Sequence, residues 1–132
     1  VTALVARSLS SRTGIMVRRA MDYIHDNFQR QISVQDVAAV VNISESYLKS
    51  IFRKVSGYTY SEYLTRVRLD RARELLVNTH MTVMEIALEI GYQTPNSFST
   101  LFRKHTGVSP SQVRVSGQEA VKSEREYDSA VP

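Results

Sequence analysis

The chain has 132 residues, 42% hydrophobic and 23% charged, which is room for one ordinary domain or two very small ones with a core to bury. Its 17 Lys+Arg against 13 Asp+Glu give +4, unevenly placed: residues 1–114 hold 15 basic and 9 acidic side chains, residues 115–132 hold 2 and 4. A basic body with an acidic tail admits an anionic partner. Zero Cys excludes a disulfide scaffold, a thiolate zinc site and a cysteine nucleophile. No apolar run approaches the roughly 18 residues of a membrane helix, and the opening VTALVARSLSSRTG lacks the long apolar core of a signal peptide. The first residue is Val, which points to a piece of a longer product.

Residues 1–15 carry no helical stripe and read as an arm or linker. From Met16, the residues Val17, Ala20, Met21, Ile24 and Phe28 recur on one face of an amphipathic helix. Ser33 with Asp36 predicts a capped second helix, whose stripe is Val34, Val37, Ala38 and Val41, and Asn42 can adopt the left-handed conformation that ends it. Ser44 offers the next cap, ahead of Tyr47, Leu48, Ile51, Phe52 and Val55, and Gly57 is the stop.

A longer helix is expected from Tyr60 to Val77, with Tyr60, Leu64, Val67, Ala72, Leu75 and Leu76 inside and Arg66, Arg68, Arg71, Arg73 and Glu74 outside. Thr82 with Glu85 then starts a short helix of Val83, Ile86, Ala87 and Ile90, closed by Gly91. Pro95 opens the next helix, with Phe98, Leu101 and Phe102 inward and Gly107 as its stop. Ser109-Pro110 starts a last short helix through about Val113. The remainder, 115–132, reads as a polar, disordered tail. The predicted fold is all-α with about seven helices.

The chain also repeats itself. Val34 and Ala38 match Val83 and Ala87 at an offset of 49; after a one-residue insertion, Leu48–Lys54 matches Phe98–Lys104 and Gly57 matches Gly107 at an offset of 50. Each unit reads short helix, tight turn, longer helix, Gly stop, the pattern of a helix-turn-helix. The resulting division is a first unit over 16–57, a linker helix over 58–78 and a second unit over 79–114.

Opposite the apolar stripe, the second helix of the first unit carries Ser46, Lys49, Ser50 and Arg53; in the second unit the same positions are Asn96, Ser99, Thr100 and Arg103. A single Ser/Lys/Arg face is usually a solvated surface. Its recurrence fifty residues on argues for a shared ligand. Such side chains hydrogen-bond base edges in a major groove, where Arg suits guanine and Asn suits adenine. Ser44 and Thr94 at the helix starts, with Lys54 and Lys104 near the ends, are placed for phosphate oxygens.

These residues resemble the AraC/XylS transcription regulators. Gly91-Tyr92 followed by the run FSTLFRKHTGVSP (98–110), the upstream YLKSIFRKVSG (47–57) and the stretch RLDRARELL (68–76) carry the likeness, which covers about residues 16–114. The resemblance implies two helix-turn-helix subdomains joined by a rigid helix, with recognition helices (45–55 and 96–105) in successive major grooves of double-stranded DNA. It implies that Ser46, Lys49 and Ser50 read bases in the first helix, and Asn96, Ser99 and Thr100 in the second. It further implies regulation of transcription with RNA polymerase as a partner in the bacterial cytoplasm, and a sensor, receiver or dimerisation domain on the N-terminal side. Two positions depart from the family pattern. Asn42 stands where Gly is usual, and Val113 stands where an aromatic is common, which predicts looser packing of the last helix.

Competing chemistry is thin. His25, His80 and His105 lie in different predicted elements without metal-ligand spacing or an adjacent nucleophile, and the five glycines form no phosphate loop. No catalytic residue, cofactor or metal is expected. The alternative class is a helical interaction module that docks its basic face on an acidic protein, which would show no preference between DNA sequences.

Overall fold

The computed structural model of the chain describes residues 11–118. Those residues form helices α1 (Arg12–Asn27), α2 (Val34–Val41), α3 (Glu45–Ser56), α4 (Tyr60–Asn78), α5 (Val83–Glu89) and α6 (Pro95–Thr106), followed by α7 over residues 110–118, and no strand. The all-α expectation holds. The chain divides into two compact units that meet between Val67 and Arg68, inside α4.

In the first unit, α1 begins earlier than the apolar stripe suggested. The Ser11 hydroxyl accepts from the Gly14 N–H at 3.1 Å and its carbonyl accepts from Ile15 N–H at 2.9 Å, so the cap sits ahead of the stripe, where periodicity cannot register it. Positions 11–15 therefore belong to the fold; residues 1–10 of the expected arm lie outside the described residues. Val17, Ala20, Ile24 and Phe28 are buried as the stripe requires.

A reciprocal capping box starts α2. Asp36 N–H donates to Ser33 Oγ at 3.1 Å and Ser33 N–H donates to Asp36 Oδ2 at 2.9 Å. That backbone donor, then the Ser33 hydroxyl, with Arg30 adding, holds the Asp36 carboxyl below its ordinary value. The helix closes on Asn42 at φ 63°, with Asn42 N–H on the Ala39 carbonyl (3.2 Å) and Ile43 N–H on the Ala38 carbonyl (3.1 Å). Leu48, Ile51 and Phe52 of α3 complete the core with Tyr60 and Leu64 of α4. The Tyr60 hydroxyl donates to the Ile32 carbonyl at 2.9 Å, and Phe52 meets the rings of Tyr60 and Tyr63 edge-on.

The second unit reproduces these bonds. Thr82 and Glu85 form the capping box of α5 (3.1 and 3.2 Å). Gly91, at φ 101°, donates to the Leu88 carbonyl (3.2 Å) while Tyr92 N–H reaches the Ala87 carbonyl (2.9 Å). The first turn passes from Ile43 directly to the cap Ser44, whereas the second runs Tyr92-Gln93-Thr94, so Gln93 is the inserted residue. After each Gly stop, a hydroxyl bridges the exit. Ser56 Oγ donates to the Phe52 carbonyl (2.6 Å) and accepts from Tyr58 N–H (3.1 Å), as Thr106 does with Phe102 (2.7 Å) and Val108 (3.3 Å). Capping boxes Thr59–Glu62 and Ser109–Gln112 then open α4 and α7.

Two expectations need correction. Arg68 is not on an outer face: it is 9% exposed, its guanidinium 5.4 Å from the centroid of the Tyr92 ring. The physical reason is that α4 supplies Leu64 and Val67 to one unit and Leu69, Ala72, Leu75 and Leu76 to the other, so no single stripe separates inside from outside. Likewise, α7 does not stop near Val113, and residues 115–118 of the expected tail are helical. They are held there by contacts distant in sequence. Arg114 Nε donates to the Leu76 carbonyl (3.2 Å) and its Nη2 to that of Met81, Gln118 Nε2 donates to the Thr79 carbonyl (3.3 Å), and Gly117 sits so close to Val77 that a Cβ would clash. Residues 119–132 lie outside the described residues. Val113 is half-exposed beside a groove of about 470 Å³ that Val77, Val108 and Gly117 also line.

Asn42→Gly should leave the urea midpoint unchanged or raised, while Asn42→Val should cost about 1–2 kcal/mol, the penalty of a side chain in the left-handed region. Arg114→Met keeps much of the side-chain bulk but strips the carbonyl partners at the end of α4. A loss of about 1–3 kcal/mol in the same measurement is expected.

Candidate nucleic-acid interface

Each unit exposes the second helix of its pair. In the first, Leu48, Ile51 and Phe52 anchor α3 to the core, which turns the opposite side outward. Ser46, Lys49, Ser50 and Arg53 are all exposed on it, and Lys54 is exposed beside them in the last turn. At the start, Ser44 Oγ accepts from Tyr47 N–H at 3.1 Å. A hydroxyl that accepts from the backbone keeps its own O–H to donate outward, so capping and phosphate binding are compatible uses of Ser44.

In the second unit Phe98 and Phe102 anchor α6, their rings edge-on with centroids 5.6 Å apart. Asn96, Thr100 and Arg103 are exposed, Ser99 is half-buried, and Lys104 is exposed in the last turn with Arg103 and His105. Ser99, Thr100 and Arg103 border a small surface concavity of about 260 Å³ with the Ser109-Pro110-Ser111 start of α7. Thr94 caps the helix by accepting from Ser97 N–H at 3.2 Å, and its hydroxyl also meets that of Ser97 at 2.9 Å. Pro95 occupies the first turn, where a missing N–H costs nothing. Basic residues in the last turns of both helices complement the negative end of the helix dipole.

Two further features belong to this face. Lys49 Nζ lies 3.0 Å from Glu45 Oε1, an ion pair across one helical turn whose i, i+4 spacing was legible. Tyr47, placed in the apolar stripe, is 44% exposed, so its ring is available beside the polar face. The Tyr63 hydroxyl meets His25 Nε2 at 2.9 Å. Among the described residues there is no cluster of three or more His, Cys, Asp or Glu that could hold a metal, and no helix long and apolar enough to cross a membrane.

Two helix-turn-helix units in one chain, each presenting a helix of hydroxyl, amide and guanidinium groups with few carboxylates, define a tandem DNA-binding domain. Residues 37–116 match the helix-turn-helix domain family, and the chain belongs to it as an AraC-type DNA-binding domain of the bacterial transcription regulators. It is 40% identical over 98 residues to the lactose operon transcription activator of Staphylococcus xylosus, covering 74% of this chain and 35% of that one. The fold is similar to the C-terminal domain of AraT, a response regulator from Geobacillus stearothermophilus (TM-score 0.76, 38% identity, 80% of this chain and 88% of that one). It is also similar to an AraC-type DNA-binding domain-containing transcriptional regulator from Chromobacterium violaceum (TM-score 0.73, 29% identity, 76% and 90%). The chain thus spans about a third of the length of the activator it matches.

Ser44→Ala should lower stability by about 1 kcal/mol through loss of the cap, whereas Ser44→Asp, an equally good cap, should hold the thermal midpoint. Thermal unfolding followed by circular dichroism distinguishes the two.

Proposed function

We propose that this chain is the DNA-binding part of a longer bacterial transcription regulator, acting in the cytoplasm at the nucleoid and working through RNA polymerase. The first recognition helix reads bases with Ser46, Lys49, Ser50 and Arg53, and the second with Asn96, Ser99, Thr100 and Arg103. Ser44, Lys54, Thr94 and Lys104 grip phosphates. The two helices enter successive major grooves, roughly 34 Å apart along one side of the duplex.

The observation that carries this reading is the same outward polar face on the second helix of both units, generated by the same caps, turns and Gly stops. A solvated helix surface gains nothing from hydroxyls, which are poorer helix formers than Glu, Lys or Gln. Hydroxyls and an amide are donors and acceptors of a size that suits base edges. An acidic protein surface would be met as well by Lys and Arg alone, so the hydroxyls and the amide favour base edges over that alternative.

Random-oligonucleotide selection followed by footprinting tests the reading, with protection of two adjacent major grooves expected. In titrations on selected DNA, Lys49→Ala and Asn96→Ala should each relax preference at positions about one turn apart, at a cost of about 1–3 kcal/mol. Lys54→Ala and Lys104→Ala should weaken selected and scrambled DNA alike and flatten the salt dependence by about one phosphate contact each. Equal losses on both DNAs from Lys49→Ala and Asn96→Ala would overturn the base-reading assignment.

A further inference from the structure

At an offset of 50, Ser46, Ser50 and Arg53 of α3 have polar counterparts of similar kind in Asn96, Thr100 and Arg103 of α6, while two positions do not: Glu45 aligns with Pro95 and Lys49 with Ser99. Glu45 is the sole carboxylate in either helix. It stands in the first turn, the end of a recognition helix that contacts base edges. An anion there meets two rows of phosphates, so it opposes binding unless a base donor receives it.

The geometry supplies such a use. Glu45 Oε1 and Lys49 Nζ are held 3.0 Å apart, each followed in sequence by a short exposed serine, Ser46 and Ser50, and the pair stays open to solvent at 43% and 60% exposure. In the major groove a C·G pair presents the cytosine N4–H donor beside the guanine O6 acceptor, separated by the Watson–Crick hydrogen bond that joins them, about 2.9 Å. An acceptor and a donor fixed at nearly that spacing match the edge as a unit. An A·T pair offers a similar donor beside an acceptor, but past thymine O4 comes a methyl group, whereas past guanine O6 comes the N7 acceptor. The ammonium has three donors and can serve both O6 and N7.

We propose that Glu45 and Lys49 read one C·G base pair as a joined unit, Glu45 accepting from cytosine N4 and Lys49 donating to guanine O6 and N7. The proposal rests on the base-reading role of α3 given above and assigns its target. The same ion pair keeps Lys49 off the phosphates, so Glu45 lowers affinity for unrelated DNA while raising discrimination on the correct site.

The test uses residues 1–132 on the selected consensus, on the same DNA with single base pairs exchanged, and on scrambled DNA. Wild type should prefer C·G at one position of the first half-site by about tenfold or more. Glu45→Ala and Lys49→Ala should flatten that same position, and the double variant should lose no more than either alone. Glu45→Ala should also bind scrambled DNA more tightly, with a salt slope steeper by about 0.9 as Lys49 reaches a phosphate. Glu45→Gln keeps the length of the side chain and should move the preference toward adenine, which Gln reads; it carries the test if Glu45→Ala loses its helical circular dichroism. The pair is overturned if Glu45→Ala flattens no position, flattens a different one from Lys49→Ala, or weakens all DNAs equally while Asn96→Ala still relaxes its own site. A wild type that selects no consensus would overturn the base-reading role itself, and this proposal with it.

Discussion

The left-handed turn between the two helices of each unit is the constraint on which the rest depends. At Asn42 and again at Gly91 the chain takes a positive φ, and two backbone N–H groups close back on the carbonyls of the short helix just ended. This closure satisfies the carbonyls that a helix end leaves open and fixes the direction in which the next helix departs. With that direction fixed, Leu48 and Phe52, or Phe98 and Phe102, must face the core, and Lys49 and Arg53, or Asn96 and Arg103, must face out. The outward polar face proposed to read bases is therefore a consequence of one backbone conformation made twice. Asn at the first turn and Gly at the second are two solutions to the same steric requirement.

Hydroxyl groups do much of the remaining local work. Ser11, Ser33, Ser44, Thr59, Thr82, Thr94 and Ser109 cap helix starts, while Ser56 and Thr106 bridge the exits of the two recognition helices. Satisfying these ends with side chains lets short elements such as the seven-residue α5 persist in a fold with small cores. The same chemistry leaves Ser44 and Thr94 exposed at helix N-termini, where anions are favoured. Capping and the proposed phosphate contact are compatible at one hydroxyl because each engages a different hydrogen-bonding capacity of the oxygen.

Much of this was legible in the residues. Caps and stops are local, so Ser33 with Asp36, Thr82 with Glu85, Gly57 and Gly107 announced their helices by spacing alone. The internal repeat then marked the polar faces of α3 and α6 as candidates to be weighed against an ordinary wet surface. Legibility ended where contacts join distant segments. Arg68 looks like one more charge on a basic helix, and only the packing of Tyr92 against it makes it an inside residue. Arg114 and Gln118 look like the start of a tail until the open carbonyls of Leu76, Thr79 and Met81 lie beside them.

By itself, then, the sequence determined the helix starts and stops, the repeat and which helix of each unit carries the polar face, because capping, periodicity and positive φ are settled within a few residues of one another. The tertiary structure decided what periodicity cannot encode. It set the inside and outside of α4, which serves two cores, and the extension of α7 through residue 118. Each of these depends on where a side chain finds its partner, and a helical stripe specifies a face without specifying what will lie against it.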